Sequence, residues 1–213
     1  MVIDKCTRTN PDKRYMSVTD LKQAWQYVSG TVAATSPHEE LTKLIAHFSD
    51  RASVSPEQAE RILEILTHFR TDADLVHEAV MQLPPLAARL MLAVNKEHTR
   101  ELVSSYVQHV TSQGWGFSYT DKIAAQCQAL YEALEDYEIR AELVFCVLDL
   151  GVGHNRFYVM DIAESLLEMK REAGESLAIA ERLKGASSSL REWVKERVSR
   201  SKLHPAIVAV LNS

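Results

Sequence analysis

The 213-residue chain is 46% apolar and 25% charged, with a net charge of −5, the make-up of an ordinary soluble globular protein. Its length allows one large domain, or two small ones that share a core, with enough interior to need no covalent staples. Seven glycines and six prolines are few for a turn-rich β-sandwich or barrel, and no apolar run approaches the roughly 18 residues of a membrane span. No charged-then-apolar leader opens the chain, so a cytoplasmic protein is expected, although a host-delivered effector would have the same make-up.

Residues 1–16 are polar and aperiodic, with Asn10-Pro11, and read as a flexible lead-in to a single all-helical domain over 17–213. The first helix is expected near Thr19, carrying Leu21, Ala24, Trp25 and Val28. Two helix starts follow, Ser36-Pro37-His38-Glu39 and Ser55-Pro56-Glu57-Gln58. Both are capping boxes with proline at the first helical position, where its missing N–H costs nothing. The helices they open end alike, in Leu44-Ile45-Ala46-His47-Phe48 and Ile65-Leu66-Thr67-His68-Phe69, offset by 21 residues. Asp72 or Asp74 starts the next helix, and Pro84-Pro85 breaks it, because proline lacks a donor and restricts the residue before it. A subdivision of the domain near 84–96 would fall on this break.

Residues 86–94 are strongly apolar, and a long helix is expected from Lys96 to Gln113, closed by Gly114. Its inner side holds Leu102, Val103, Tyr106, Val107 and Val110. The loop 114–119 then carries Trp115, Phe117 and Tyr119, with Thr120 and Asp121 placed to cap a helix bearing Ile123, Ala124, Cys127, Leu130, Tyr131 and Leu134. The hairpin from Glu138 to Met169 is expected to organise the whole. From Ala141 to Leu150 only Glu142 and Asp149 are polar, and a helix apolar nearly all round must be covered by neighbours. Gly151-Val152-Gly153 is the expected joint. The second arm is amphipathic, with Phe157, Met160, Ala163, Leu166 and Leu167 on its inner face. Gly174 and Gly185 bracket a short helix, Ser187-Ser188-Ser189 cap another, and His204-Pro205 opens the last.

No stretch alternates as a strand would. Helix starts recur roughly every 17 to 19 residues, so two make a unit of about 36, within the range of stacked α-hairpin repeats. The run Glu135-Asp136-Tyr137-Glu138-Ile139-Arg140-Ala141-Glu142-Leu143-Val144 resembles the opening of a HEAT-type second helix, with a fainter echo in Asp72-Ala73-Asp74-Leu75-Val76-His77-Glu78-Ala79-Val80. The resemblance covers about a third of the chain. It implies a fold, a stack of antiparallel helical hairpins like an α-solenoid, and brings no catalytic residues. A compact multi-helix bundle is the competing architecture. Either way the chain is all-α, with about 9–11 helices.

A convergent catalytic set is missing from the sequence. His47 and His68 occupy matching helix ends, where a histidine favours the negative C-terminus; no zinc-type spacing accompanies them. His77, His98 and His109 are dispersed and read as solvent-facing or interface groups. Cys6, Cys127 and Cys146 are far apart and odd in number, and the last two fall in apolar helical patterns, as reduced core cysteines would. Gly151-Val152-Gly153-His154 follows a helix and lacks the lysine of a phosphate loop. No catalytic residue, metal site or cofactor is therefore expected.

Two features point to binding instead. Trp115, Phe117 and Tyr119 share a short loop, and rigid aromatics are favoured interface anchors; the competing reading is that they fold back as a lid on the core. Charge is also uneven: residues 131–150 hold six acids and one base, whereas 182–204 hold seven bases and two acids. The basic residues Arg191, Lys195, Arg197, Arg200 and Lys202, within the C-terminal segment 187–213, could meet nucleic acid or fold against the acidic segment at 132–149. The expected function is a non-catalytic helical interaction or adaptor module whose partner is another protein. The alternatives are a nucleic-acid-associated regulator using the basic helix, and an enzyme with scattered His, Asp and Glu. The apolar tail 206–211 could also dock on a second copy of the chain.

Overall fold

A computed structural model describes residues 39–43, 45, 54–169 and 171–212. The expected lead-in, the Thr19 helix, the Ser36 capping box, Cys6 and His47 lie outside them. The chain divides into two compact units, Met1–Thr42 and Lys43–Ser213; the ten helices below belong to the second. They are α1 (Pro56–His68), α2 (Ala73–Gln82), α3 (Pro85–Val94), α4 (Lys96–Ser112), α5 (Phe117–Ala133), α6 (Tyr137–His154), α7 (Phe157–Glu168), α8 (Ala173–Lys184), α9 (Ser188–Arg197) and α10 (Pro205–Leu211). No strand occurs among the described residues.

Local chemistry sets most boundaries. The Ser55 hydroxyl accepts from the Gln58 N–H at 3.3 Å and the Gln58 side chain accepts from the Ser55 N–H at 3.0 Å, completing the capping box of α1. Asp72, Asn95, Asp136, Ser187 and the His204 ring cap five other helices in the same way, each satisfying a donor that the first turn leaves without an intrahelical partner. Pro84-Pro85 ends α2 and opens α3. The carbonyls stranded by that break are met from α5: Gln126 Nε2 donates to Val80 O at 2.7 Å and to Leu83 O at 2.9 Å.

Helices two apart in sequence lie side by side. α1, α3, α5 and α7 form one row and α2, α4, α6, α8 and α10 another, joined across the rows through α1–α4, α3–α4, α5–α6 and α6–α7. Helix α6 touches α4, α5, α7, α8 and α9. Ile139, Ala141, Leu143, Val144, Cys146, Val147, Leu148, Leu150 and Gly151 are all buried on it. Its sequence explains this: with apolar residues on every side, only a position with neighbours all round keeps them from water. The partner helix α7 buries Val159, Met160, Ile162, Ala163, Leu166 and Leu167 on one face.

Several local details differ from expectation. The joint after α6 is not at the glycines, because α6 runs on to His154 and ends at Asn155, which takes a left-handed conformation (φ 49°, ψ 47°); asparagine tolerates that region better than most residues. Gly151 is inside the helix because α7 crosses there, and a Cβ on it would meet the Met160 backbone nitrogen at 3.3 Å. Phe157 is not inward: it is 69% exposed, at the first position of α7. Gly114 does follow the end of the Lys96 helix as expected, although not in a left-handed conformation, since Gln113 ends α4 in extended backbone and no described glycine has positive φ. Finally, α5 begins at Phe117 rather than after Thr120. Thr120 is wholly buried in its first turn and donates to Gly116 O at 3.1 Å.

Gly174 does not stand before α8 but sits in its first turn, where a Cβ would lie 2.5 Å from the Tyr137 ring. Cys127 and Cys146 are buried reduced neighbours with their sulfurs 3.9 Å apart. That contact and burial push the Cys146 thiol well up from its usual range, which disfavours the thiolate.

Candidate interaction surface

The aromatic loop divides at the start of α5. Trp115 turns back, and its Nε1–H donates to Val110 O at 2.8 Å, a carbonyl in the last turn of α4 that has no partner within the helix. Its ring stacks on His77 with centroids 4.6 Å apart and planes inclined by 15°. Tyr106 stacks on His77 at 5.5 Å. The Tyr119 hydroxyl is 2.9 Å from His77 Nε2. Trp115 and Tyr119 thus belong to a cluster built from α2, α4 and α5.

Two of the three histidines therefore meet, whereas His98 is exposed as expected. His77 is buried, and His109 lies with its ring centroid 5.4 Å away. The two sit 32 positions apart in sequence, on helices that pack together, and no local spacing announces the pairing. Burial holds the His77 imidazole below its ordinary pKa, as does His109, with Asp74 opposing. His109 Nε2 is 3.5 Å from Asp74 Oδ1. Among the described residues no group of three or more His, Cys, Asp or Glu is placed to hold a metal ion.

Phe117 goes the other way. At the first position of α5 it is 63% exposed, with the Arg156 guanidinium 5.1 Å from its ring centroid. Arg156 is held by both Asp121 oxygens. Arg156 precedes α7, whose first two residues, Phe157 and Tyr158, are 69% and 51% exposed. α5 and α7 are neighbours, and Phe117 lies against an arginine fixed in place by an ion pair, with the exposed Phe157 and Tyr158 following that arginine in the chain. Sequence reasoning found Phe117 but missed Phe157 and Tyr158, since an inward Phe157 fits the apolar stripe of α7 equally well. The signal that could have separated them is position, as a residue at the first turn of a helix after a loop need not follow its stripe.

The basic segment pairs inward. Arg197 donates to Glu164 at 2.9 Å and Asp161 at 2.7 Å, and Lys202 to Glu168 at 2.6 Å. Lys195 meets Glu192 at 3.3 Å on its own helix, and Arg191 donates to Lys184 O at 3.1 Å. The acids that neutralise Arg197 and Lys202 are on α7, not in the 132–149 segment; among the described residues of the basic segment only Arg182 pairs with that segment, at Glu142. Arg200 is exposed. The opposite charges do meet within the fold, but the register of α9 and the turn after it sets them against α7.

A third polar region lies where α4, α5, α6 and the start of α8 converge. A cleft of about 870 Å³ opens there. At its floor Glu175 is 2% exposed and accepts from the Tyr131 hydroxyl, from Arg140 Nη1 at 3.1 Å and lies 3.5 Å from Arg171 Nε. Burial pushes the Tyr131 phenol up to about 12, helped by the Glu175 carboxylate. At the rim Asp136 accepts from Arg100 (3.1 and 2.8 Å) and Lys96 (2.8 Å) while capping α6. Burial opposes its charge, but the bonds from Arg100, Lys96 and the Ile139 N–H outweigh burial and hold its pKa at about 2. Glu135 and Glu138, also on the rim, are exposed and have no cation partner among the described residues.

No protein-family model matches the chain, and neither a curated protein nor a solved structure matches it. Among the described residues no helix is long and apolar enough to cross a membrane.

Proposed function

We propose that this chain is a non-catalytic helical interaction module that binds another protein through the aromatic surface at the starts of α5 and α7. The carrying observation is the exposure of Phe117, Phe157 and Tyr158 beside Arg156. Large aromatics and arginine are the residue types that dominate binding energy at protein interfaces, and water-facing rings on helix ends lose little conformational freedom when covered. Arg156 is already neutralised by Asp121, so the complementary face is apolar rather than strongly acidic. The side-by-side packing of helices two apart in sequence supports a hairpin-repeat scaffold of the HEAT kind, whose use is to present extended surfaces.

The nucleic-acid reading is the less favoured one, because Arg197 and Lys202 of the basic segment are engaged by Asp161, Glu164 and Glu168. The experiment is a tagged pull-down of the full chain from nuclease-treated lysate, run in parallel with Phe117→Ser/Phe157→Ser. A protein retained by the wild type and lost by the double variant supports the reading. Equal retention by both, or capture that vanishes on nuclease treatment, overturns it. Sedimentation of the same two proteins tests whether the partner is a second copy, which would give a dimer that the double variant abolishes.

A further inference from the structure

Arg171 is a buried arginine with an unused fork. Its side chain is 4% exposed. Its Nε is engaged, donating to Met169 O at 3.2 Å and lying 3.5 Å from Glu175 Oε1. Nη1 and Nη2, which carry four N–H donors between them, have no hydrogen-bond partner among the described residues. Ser176, wholly buried in the first turns of α8, has an unpartnered hydroxyl as well. Leaving a buried donor unsatisfied is costly, and more so for a charged group. Two residues in this condition, both lining one cavity, are not accounted for by packing.

That cavity, about 300 Å³, lies between α7, α8 and α10 and is distinct from the aromatic surface. Arg171, Ser176, Lys202 and His204 supply its polar lining, and Leu167 and Ile207 are among its apolar walls. It contains no acidic residue. Lys202 is tied to Glu168, and the His204 ring nitrogen Nδ1 accepts from the Ala206 N–H, which leaves its Nε2–H as a further donor; Arg171 and Ser176 are the cavity groups that are both buried and without a partner. The chemistry they select is an anion with two coplanar oxygens. A guanidinium presents its N–H groups as a flat fork that matches a carboxylate bidentately, and the serine hydroxyl adds one further donor. Leucine and isoleucine walls accommodate a short hydrocarbon body, and the volume is at the small end of ligand pockets.

We infer that the cavity between α7, α8 and α10 binds a small aliphatic carboxylate, its two oxygens held by the Arg171 fork and the Ser176 hydroxyl. This site is separate from the protein-binding surface proposed above, and its test does not depend on that surface.

The test uses butyrate as probe and inorganic phosphate as comparison, titrated calorimetrically into the full chain in a low-salt buffer free of other carboxylates. Saturable binding of butyrate is expected, with Ser176→Ala weakening it about tenfold (about 1.4 kcal/mol) and Arg171→Met removing it. Ser176→Ala deletes one unpartnered hydroxyl and is expected to fold normally, so it decides the matter if Arg171→Met does not fold. Equal affinity of Ser176→Ala and wild type overturns the assignment. So does the absence of butyrate binding at about 10 mM, ten times a millimolar Kd. Binding of phosphate without butyrate overturns the carboxylate class.

Discussion

Two buried polar clusters sit in neighbouring parts of the same core, and the fold accommodates them by opposite means. Around His77 the groups are neutral: an imidazole kept below its ordinary pKa, stacked between Trp115 and Tyr106 and bonded to Tyr119. Around Glu175 they are ionic: one carboxylate shared by Arg140, Arg171 and the Tyr131 hydroxyl. A neutral aromatic cluster loses little on desolvation and is filled by ring contacts. An ionic cluster loses several kcal/mol per charge on desolvation, which only mutual pairing offsets. The first therefore tolerates change that keeps its shape, and the second does not tolerate loss of a charge.

The largest expected effect tests that contrast directly. Glu175→Ala strips the counter-charge from two arginines, one of them with a side chain only 4% exposed, and is expected to lower unfolding free energy by about 3 kcal/mol, the low end for breaking a buried pair from one side. Urea denaturation measures it. A loss below about 1 kcal/mol, the scale of a surface pair, would mean the cluster is hydrated and not truly ionic core.

Asp136 sharpens the comparison in the same cleft, because it is as buried as Glu175 while its partners Lys96 and Arg100 reach solvent. Asp136→Ala removes both the ion pairs and the α6 cap and is expected to cost about 2 kcal/mol, of which the cap accounts for about 1. Asp136→Asn keeps a capping oxygen and is expected to recover that part. The folded pKa of about 2 lies below the ordinary 3.8. Its contribution is therefore complete above pH 3.8 and is lost as pH falls from there towards 2. Acid unfolding of Asp136→Asn should lack that portion of the slope.

Much of this was legible in the sequence, and the exceptions share a cause. The capping box at Ser55, the Asp72 start, the proline break and the all-round apolar run of α6 are local patterns, each with its own chemistry, and they fixed helix positions to within a few residues. His77 and His109, or Glu175 and Arg140, lie 32 and 35 residues apart. Their meeting depends on which helix lies beside which, and periodicity within one helix carries no such information. Gly151 failed as a loop signal for the same reason: its small size serves a neighbour, Met160, rather than a turn. The aromatic residues of 115–119 were found by composition, but their division into inward and outward sets follows from where α5 starts.

The neutral cluster predicts a smaller response. His77→Phe keeps a flat ring between Trp115 and Tyr106 and removes the unpartnered Nδ1, so stability at pH 8 is expected to change by less than about 1 kcal/mol. The informative quantity is the pH slope. The folded His77 has a lowered pKa, so the unfolded chain binds the proton first as pH falls through the ordinary 6.5. Stability is then full above 6.5 and declines as pH drops towards the folded value. His77→Phe should flatten that decline in urea midpoints measured from pH 8 to 5. An unchanged slope would assign it to other groups and remove His77 as the neutral member of the comparison.

The smallest effect is expected where charges pair on the surface. Arg197 and Lys202 are bonded to three α7 carboxylates, in number a richer network than that around Glu175. Exposure nevertheless decides the outcome. Water solvates these ions whether or not they pair, salt screens them, and two long side chains lose freedom in holding one geometry. Arg197→Ala/Lys202→Ala is expected to leave the urea midpoint unchanged at physiological salt and to separate from wild type only at low ionic strength. If the double variant unfolds as readily as Glu175→Ala, number of partners rather than burial governs stability here, and the contrast between the two clusters loses its physical basis.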